Sequence, residues 1–88
     1  MTMSVDDCIS LSVLTPEGIM LQEKVSKVEL PGGKGRFTVL KNHMPLISSL
    51  TSGKVAYCAG DISYEVQILS GFVEIRDNVV TVCAEVGR

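Results

Sequence analysis

Apolar residues recur at every second position in several short stretches of this chain. Ile9, Leu11 and Val13 alternate with Ser10 and Ser12, Val28 and Leu30 with Lys27 and Glu29, and Ile62, Tyr64, Val66 and Ile68 with Ser63, Glu65 and Gln67. A strand turns successive side chains to opposite faces, so this period makes each stretch a strand with one buried face. Residues 36–40, 54–59, 72–76 and 79–84 are further expected strands, several of them rich in β-branched side chains. Between the strands stand Pro16-Glu17-Gly18, Pro31-Gly32-Gly33, Ser52-Gly53, Gly60-Asp61 and Asp77-Asn78. These residue types suit turns because proline presets φ and glycine or asparagine accepts a positive one. Most spacers hold about three to six residues, whereas a parallel crossover needs a dozen or more. The pattern therefore predicts an all-β, mostly antiparallel sandwich or barrel.

Two places break the alternation. Residues 42–50 contain Pro45 among Met44, Leu46, Ile47 and Leu50. Proline is unsuited to a helix interior or a central strand, so this segment is expected to be an ordered loop with apolar anchors. Leu69 interrupts the period just before Ser70-Gly71, where a missing side chain would let another segment approach closely. The turn type at Asp77-Asn78 stays open, since the favoured Asn-Gly pair is absent.

A length of 88 residues accommodates one domain, residues 1–88, with a core region over about 9–85. The net charge of -2 comes with scattered basic residues, so no positive stripe exists for a nucleic-acid backbone. Cys8, Cys58 and Cys83 are odd in number and widely spaced, which fits small buried apolar side chains in a reducing compartment better than a disulfide framework or a zinc site. The opening residues carry Asp6-Asp7 and no apolar run, unlike a secretory leader. The longest apolar runs fall far short of the roughly twenty residues of a membrane span, so any membrane association is expected to be indirect.

Chemistry is thinly represented. Gly32-Gly33-Lys34-Gly35 lacks the spaced glycines followed by Lys and Ser/Thr of a phosphate loop, and it joins two strands instead of opening a helix. His43 is the single histidine and has no carboxylate or cysteine near it in sequence, so a hydrogen-bonded turn is the simpler role. No serine lies in a nucleophile elbow. Glu65, Glu74 and Asp77 fall on expected solvent-facing positions and make no acid–base pair. No catalytic, cofactor-binding or metal-binding residue is therefore expected. Exposed apolar residues are the better clue: Met20-Leu21, Met44, Leu46 and Phe72 lie near turns or on polar strand faces, as a docking surface would require, although bulges can turn such residues back into a core.

The two irregular regions carry a specific resemblance. Residues 30–46, Leu-Pro-Gly-Gly-Lys-Gly-Arg-Phe-Thr-Val-Leu-Lys-Asn-His-Met-Pro-Leu, and residues 68–82, Ile-Leu-Ser-Gly-Phe-Val-Glu-Ile-Arg-Asp-Asn-Val-Val-Thr-Val, resemble the N-terminal β domain of the bacterial F-type ATP synthase epsilon subunit. The Thr15-Pro16-Glu17-Gly18 turn and residues 25–30 extend the resemblance over about residues 9–85. A glycine pair common in the family is Ser70-Gly71 in this chain.

The resemblance implies a two-sheet β-sandwich of about ten short strands. It also implies a noncatalytic central-stalk role, coupling the rotating gamma subunit to the membrane-embedded c-ring within the assembled F1Fo complex. The location implied is peripheral, at the cytoplasmic face of a bacterial inner membrane. Lys41, Asn42, His43, Met44, Pro45 and Leu46 become the expected contact region toward the c-ring, and Gly71 and Phe72 the expected contact toward gamma. The C-terminal helical hairpin common in the family has no counterpart in residues 1–88, so neither its restraint of rotation nor its ATP binding is carried over. A free-standing β-sandwich that binds a soluble protein or a small ligand is the alternative.

Overall fold

The structure, a computed structural model, describes residues 8–87. Asp6-Asp7 and the rest of the opening residues, and Arg88, lie outside them. The strands are β1 (Ile9–Thr15), β2 (Gly18–Val25), β3 (Lys27–Gly32), β4 (Gly35–Val39), β5 (Leu46–Leu50), β6 (Gly53–Ala59), β7 (Ile62–Ile68), β8 (Ser70–Arg76) and β9 (Val79–Glu85). Every strand expected from alternation is present, its ends shifted by no more than a residue or two.

Two strands carry no such signature. In β2 only Val25 is fully buried and Leu21 half-buried, so there is no continuous inner face to write an alternation. β5 replaces the second half of the loop expected over 42–50: Leu46 and Ile47 are adjacent apolar residues, yet only Leu46 faces the core while Ile47 is 73% exposed. Pro31-Gly32, expected as a spacer, lies inside β3, where Pro31 pairs with Arg36 and its carbonyl accepts the Thr51 N–H at 2.9 Å.

Pairing follows the order β2-β1-β9-β8-β5-β3-β6-β7, with β4 on the other side of β3. Among the described residues the ladders thus form one curled sheet of nine strands, where two sheets and about ten strands were expected. The continuity comes from a narrow link: β3 and β5 share a single registered pair, Gly32 with Leu50. There the sheet turns over and divides into two facing layers, β2-β1-β9-β8-β5 and β4-β3-β6-β7. Pairing is antiparallel except between β1 and β9, the first and last strands described, which run parallel from Ser10–Val79 to Leu14–Cys83. No local crossover is needed for that pair, since most of the chain lies between its members.

The inward rows form one cluster drawn from both layers. Ile9, Leu11, Val13, Val80, Val82, Val73 and Ile75 come from one layer, and Val28, Leu30, Val39, Val55, Tyr57 and Ile68 from the other. The start of β7 runs past this core, leaving Ile62 and Tyr64 exposed although both sit on the apolar phase of the alternation. Cys58 and Cys83 are half-buried free thiols, not core residues as expected, because their positions face outward and are only shielded by cross-strand neighbours such as Ser63 and Phe72. Cys8 is half-buried as well.

The layers are also joined opposite the Gly32 link. The Ser26 N–H donates to the Cys58 carbonyl at 2.9 Å. Buried Tyr57 stacks on Tyr64, with ring centroids 5.2 Å apart, and its hydroxyl reaches Glu23 on β2 at 3.4 Å. Burial raises the Tyr57 phenol above its ordinary value of 10.0, and the Glu23 carboxylate raises it further. A raised folded-state value means that the unfolded chain loses this proton first. The stabilisation is therefore complete below about pH 10 and is lost as pH rises toward the folded-state value. Urea midpoints measured across that range should fall for the native chain, and more shallowly for Tyr57→Phe.

Gly71 supplies the close approach expected at Ser70-Gly71. It pairs with both Leu50 and Ala84, and a Cβ there would press on the Cys83 carbonyl oxygen and lie 3.0 Å from the Ala84 Cα. Both obstacles are backbone, so the strand pair must separate to admit a methyl group. Gly71→Ala should lower unfolding stability by about 1–3 kcal/mol in denaturant titrations, the usual cost of overpacking.

Candidate functional site

Between β4 and β5 the chain makes a short loop held by its own hydrogen bonds. The His43 N–H donates to the Leu40 carbonyl at 3.1 Å, and Asn42 takes φ 67°, a left-handed conformation that asparagine tolerates better than most residues. The loop is tied to the β8–β9 hairpin. The Asn42 N–H donates to Asn78 Oδ1 at 2.6 Å, and Asn78 Nδ2 donates back to Asn42 Oδ1 at 3.4 Å. Asp77 and Asn78 have φ of 52° and 62°, which makes that hairpin a type I′ turn and answers the question the sequence left open.

The clasp sets what the loop displays. His43 is half-buried, and its Nδ1 lies 2.7 Å from the Met44 carbonyl oxygen. A carbonyl only accepts, so Nδ1 carries the proton and Nε2 is left as the acceptor of the neutral ring. Lys41, Asn42, Met44 and Pro45 are exposed, with Met44 72% open to solvent, while Leu46 packs half-buried against the core and anchors the return. The six residues expected to act together are thus contiguous in space, but two face partly inward. Leu21, offered as part of an exposed patch, also packs on the core.

Gly71 and Phe72 lie elsewhere. Phe72 is four residues before Arg76 on β8, so about 13 Å of strand separates it from the clasped end. Its ring is 53% exposed on the outer face, opposite Cys83, which in turn pairs with Leu14, and Leu14 with Ile19. A groove of about 540 Å³ opens among Leu14, Pro16, Phe72 and Cys83. Leu14 was not singled out from sequence, because only the register of β8, β9 and β1 brings it into the groove with Phe72. Among the described residues, no three His, Cys, Asp or Glu side chains gather as a metal site would require.

The architecture defines a small curled β-sandwich domain with separate exposed features at two places on a stiff frame. More particularly, the chain belongs to the family of the ATP synthase delta/epsilon chain beta-sandwich domain, whose model matches residues 8–87. It is 42% identical over 77 residues to the ATP synthase epsilon chain of Nitratidesulfovibrio vulgaris, covering 88% of this chain and 58% of that one. It is also 42% identical over 76 residues to the ATP synthase epsilon chain of Desulfitobacterium hafniense, covering 86% and 58%. The chain therefore spans 58% of the length of these relatives. Among solved structures, the fold is shared with a chain of the Euglena gracilis mitochondrial ATP synthase assembly of OSCP, F1 and c-ring, at a TM-score of 0.83 and 22% identity, covering 96% of this chain and 54% of that one. A chain of the Tetrahymena thermophila mitochondrial ATP synthase central stalk and c-ring shares it at a TM-score of 0.73 and 13% identity, covering 86% and 62%.

The clasp can be removed without disturbing the turn, because glycine accepts the positive φ of Asn78. Asn78→Gly should cost about 0.5–1.5 kcal/mol, the net worth of a hydrogen bond, and should speed hydrogen exchange at the Asn42 amide selectively. Protection of that amide equal to the native chain's would show that the side-chain bond does not hold the loop.

Proposed function

We propose that this domain is a noncatalytic component of the central stalk of an F-type ATP synthase, coupling rotation of the gamma subunit to the membrane-embedded c-ring. The observation that carries the reading is the placement of two exposed features on one rigid frame: the clasped loop at one end, and the Phe72 groove on an outer face about 13 Å of strand away. Transmission of torque requires that a load applied at one contact reach another without deformation. Cross-strand hydrogen bonds and a continuous packed core resist such deformation, and no reactive side chain is needed for it. Family membership and the epsilon-chain relatives support this role, and the structural neighbours belong to assemblies described with F1, central stalk and c-ring.

In this reading Lys41, Asn42, His43, Met44, Pro45 and Leu46 face the c-ring, while Gly71 and Phe72 face gamma. The domain sits peripherally at the cytoplasmic face of a bacterial inner membrane and reaches the bilayer only through its partners.

Photo-crosslinking amino acids placed at Met44 and at Phe72, followed by mild isolation of the native membrane assembly, test the assignment directly. Position 44 should crosslink to c-ring protein and position 72 to gamma. Met44→Ala should weaken assembly while leaving the thermal midpoint of the isolated domain within a degree or two, since an exposed side chain contributes little to folding. Stable isolation without either partner, with both expressed, would favour a free-standing binding module.

A further inference from the structure

β5 is bordered by β8 along its whole length, from Leu46 opposite Ile75 to Leu50 opposite Gly71. On its other side β3 reaches it at the Gly32–Leu50 pair, with one additional bond from the Gly33 N–H to the Ser49 carbonyl at 3.2 Å. Among the described residues, 46–48 therefore have no strand neighbour on that side and form an internal stretch of open sheet edge. Across from it stands the tip of the β3–β4 hairpin, and between them lies a notch of about 800 Å³.

The walls of the notch have a definite character. Lys34, Arg36 and Phe37 face it from the hairpin, and Ile47, Ser48 and Ser49 from β5. Lys34 and Arg36 are exposed and take part in no ion pair within the described residues, unlike Lys54, whose ammonium lies 3.3 Å from Glu65. Among the described residues, no carboxylate lines the notch. Glu74 pairs with Ile47, but from β8, on the opposite side of β5. Net charge is -2, so this is a local concentration of positive charge on an otherwise acidic protein.

We infer that the notch receives an extended, acidic segment of a partner protein as an added strand on β5. Such a segment supplies backbone donors and acceptors to the open edge, sets carboxylates against Lys34 and Arg36, and places the alternate, apolar side chains on the face where Phe37 lies. Three or four residues of contact span about 10–13 Å. A phosphate group or an anionic lipid surface would engage the two cations but leave the strand edge unused. The notch shares only Leu46 with the clasped loop, and the inference does not depend on the stalk reading.

The isotope-labelled chain is titrated at low salt with a capped hexapeptide of alternating Glu and Val, with its Lys/Val counterpart, and with a Glu/Val hexapeptide N-methylated at alternate residues. Binding of the first peptide should shift the amides of residues 46–49 and weaken about tenfold in a Lys34→Glu, Arg36→Glu double variant, whose exposed positions leave folding intact. The N-methylated peptide should lose most of that binding. Equal binding of the Lys/Val peptide, undiminished binding of the N-methylated peptide, or shifts confined to other surfaces would each overturn the inference. So would association with phosphatidylserine-containing vesicles, or with inorganic phosphate, in the absence of peptide binding.

Discussion

The sandwich exists because the sheet can fold over at Gly32. A Cβ at that position would lie 2.7 Å from the Gly35 carbonyl oxygen and 2.9 Å from the Phe37 ring, so any side chain would distort the β3–β4 hairpin at the point where it meets β5. With hydrogen there instead, β3 makes its single pair with Leu50, and the Pro31 carbonyl receives Thr51. The two layers then lie close enough for Leu30, Val39 and Leu50 to join Val73 and Ile75 in one core. The same narrowness has a second effect: a link one pair wide leaves the rest of β5 bare on that side, which is the origin of the notch.

The opposite side of the sandwich is closed by different chemistry. Tyr57 reaches across to Glu23, and Ser26 bonds the Cys58 carbonyl, so β6 is attached to the other layer by polar contacts, while the Tyr57–Tyr64 stack braces β6 against β7 within its own layer. The exposed features are arranged around this closed frame. The loop carrying Met44 is held by a reciprocal amide clasp to a hairpin that itself needs two left-handed residues. Phe72 is held by a strand whose neighbouring glycine allows no slack. Both presentations are held in place, which is what the proposed mechanical coupling requires and what a catalytic lid would avoid.

Legibility in the sequence followed burial. Ile9, Leu11 and Val13 announce β1 because all three are buried, with half-buried residues between them. β2 is silent for the opposite reason, since its inner face is barely covered, and β5 is silent because Leu46 and Ile47 put two apolar residues on opposite faces. The loop residues 41–46 were found as a group through the resemblance and their break in alternation. Their attachment to Asn78 was not foreseeable, since a bond across thirty-six positions of sequence leaves no local trace. Leu14 was missed as part of the Phe72 groove for the same reason.

By itself the sequence determined an all-β chain, its principal strands, its tight turns and its lack of space for crossover helices. These follow from period and turn chemistry, which act over a few residues. Only the tertiary structure decided that the ladders join into one curled sheet, that β1 and β9 run parallel, and that one edge of β5 stays open. Backbone hydrogen bonding is the same for every residue type except proline. Which strand lies beside which is therefore settled by the packing of inward rows and by where a glycine lets two segments meet.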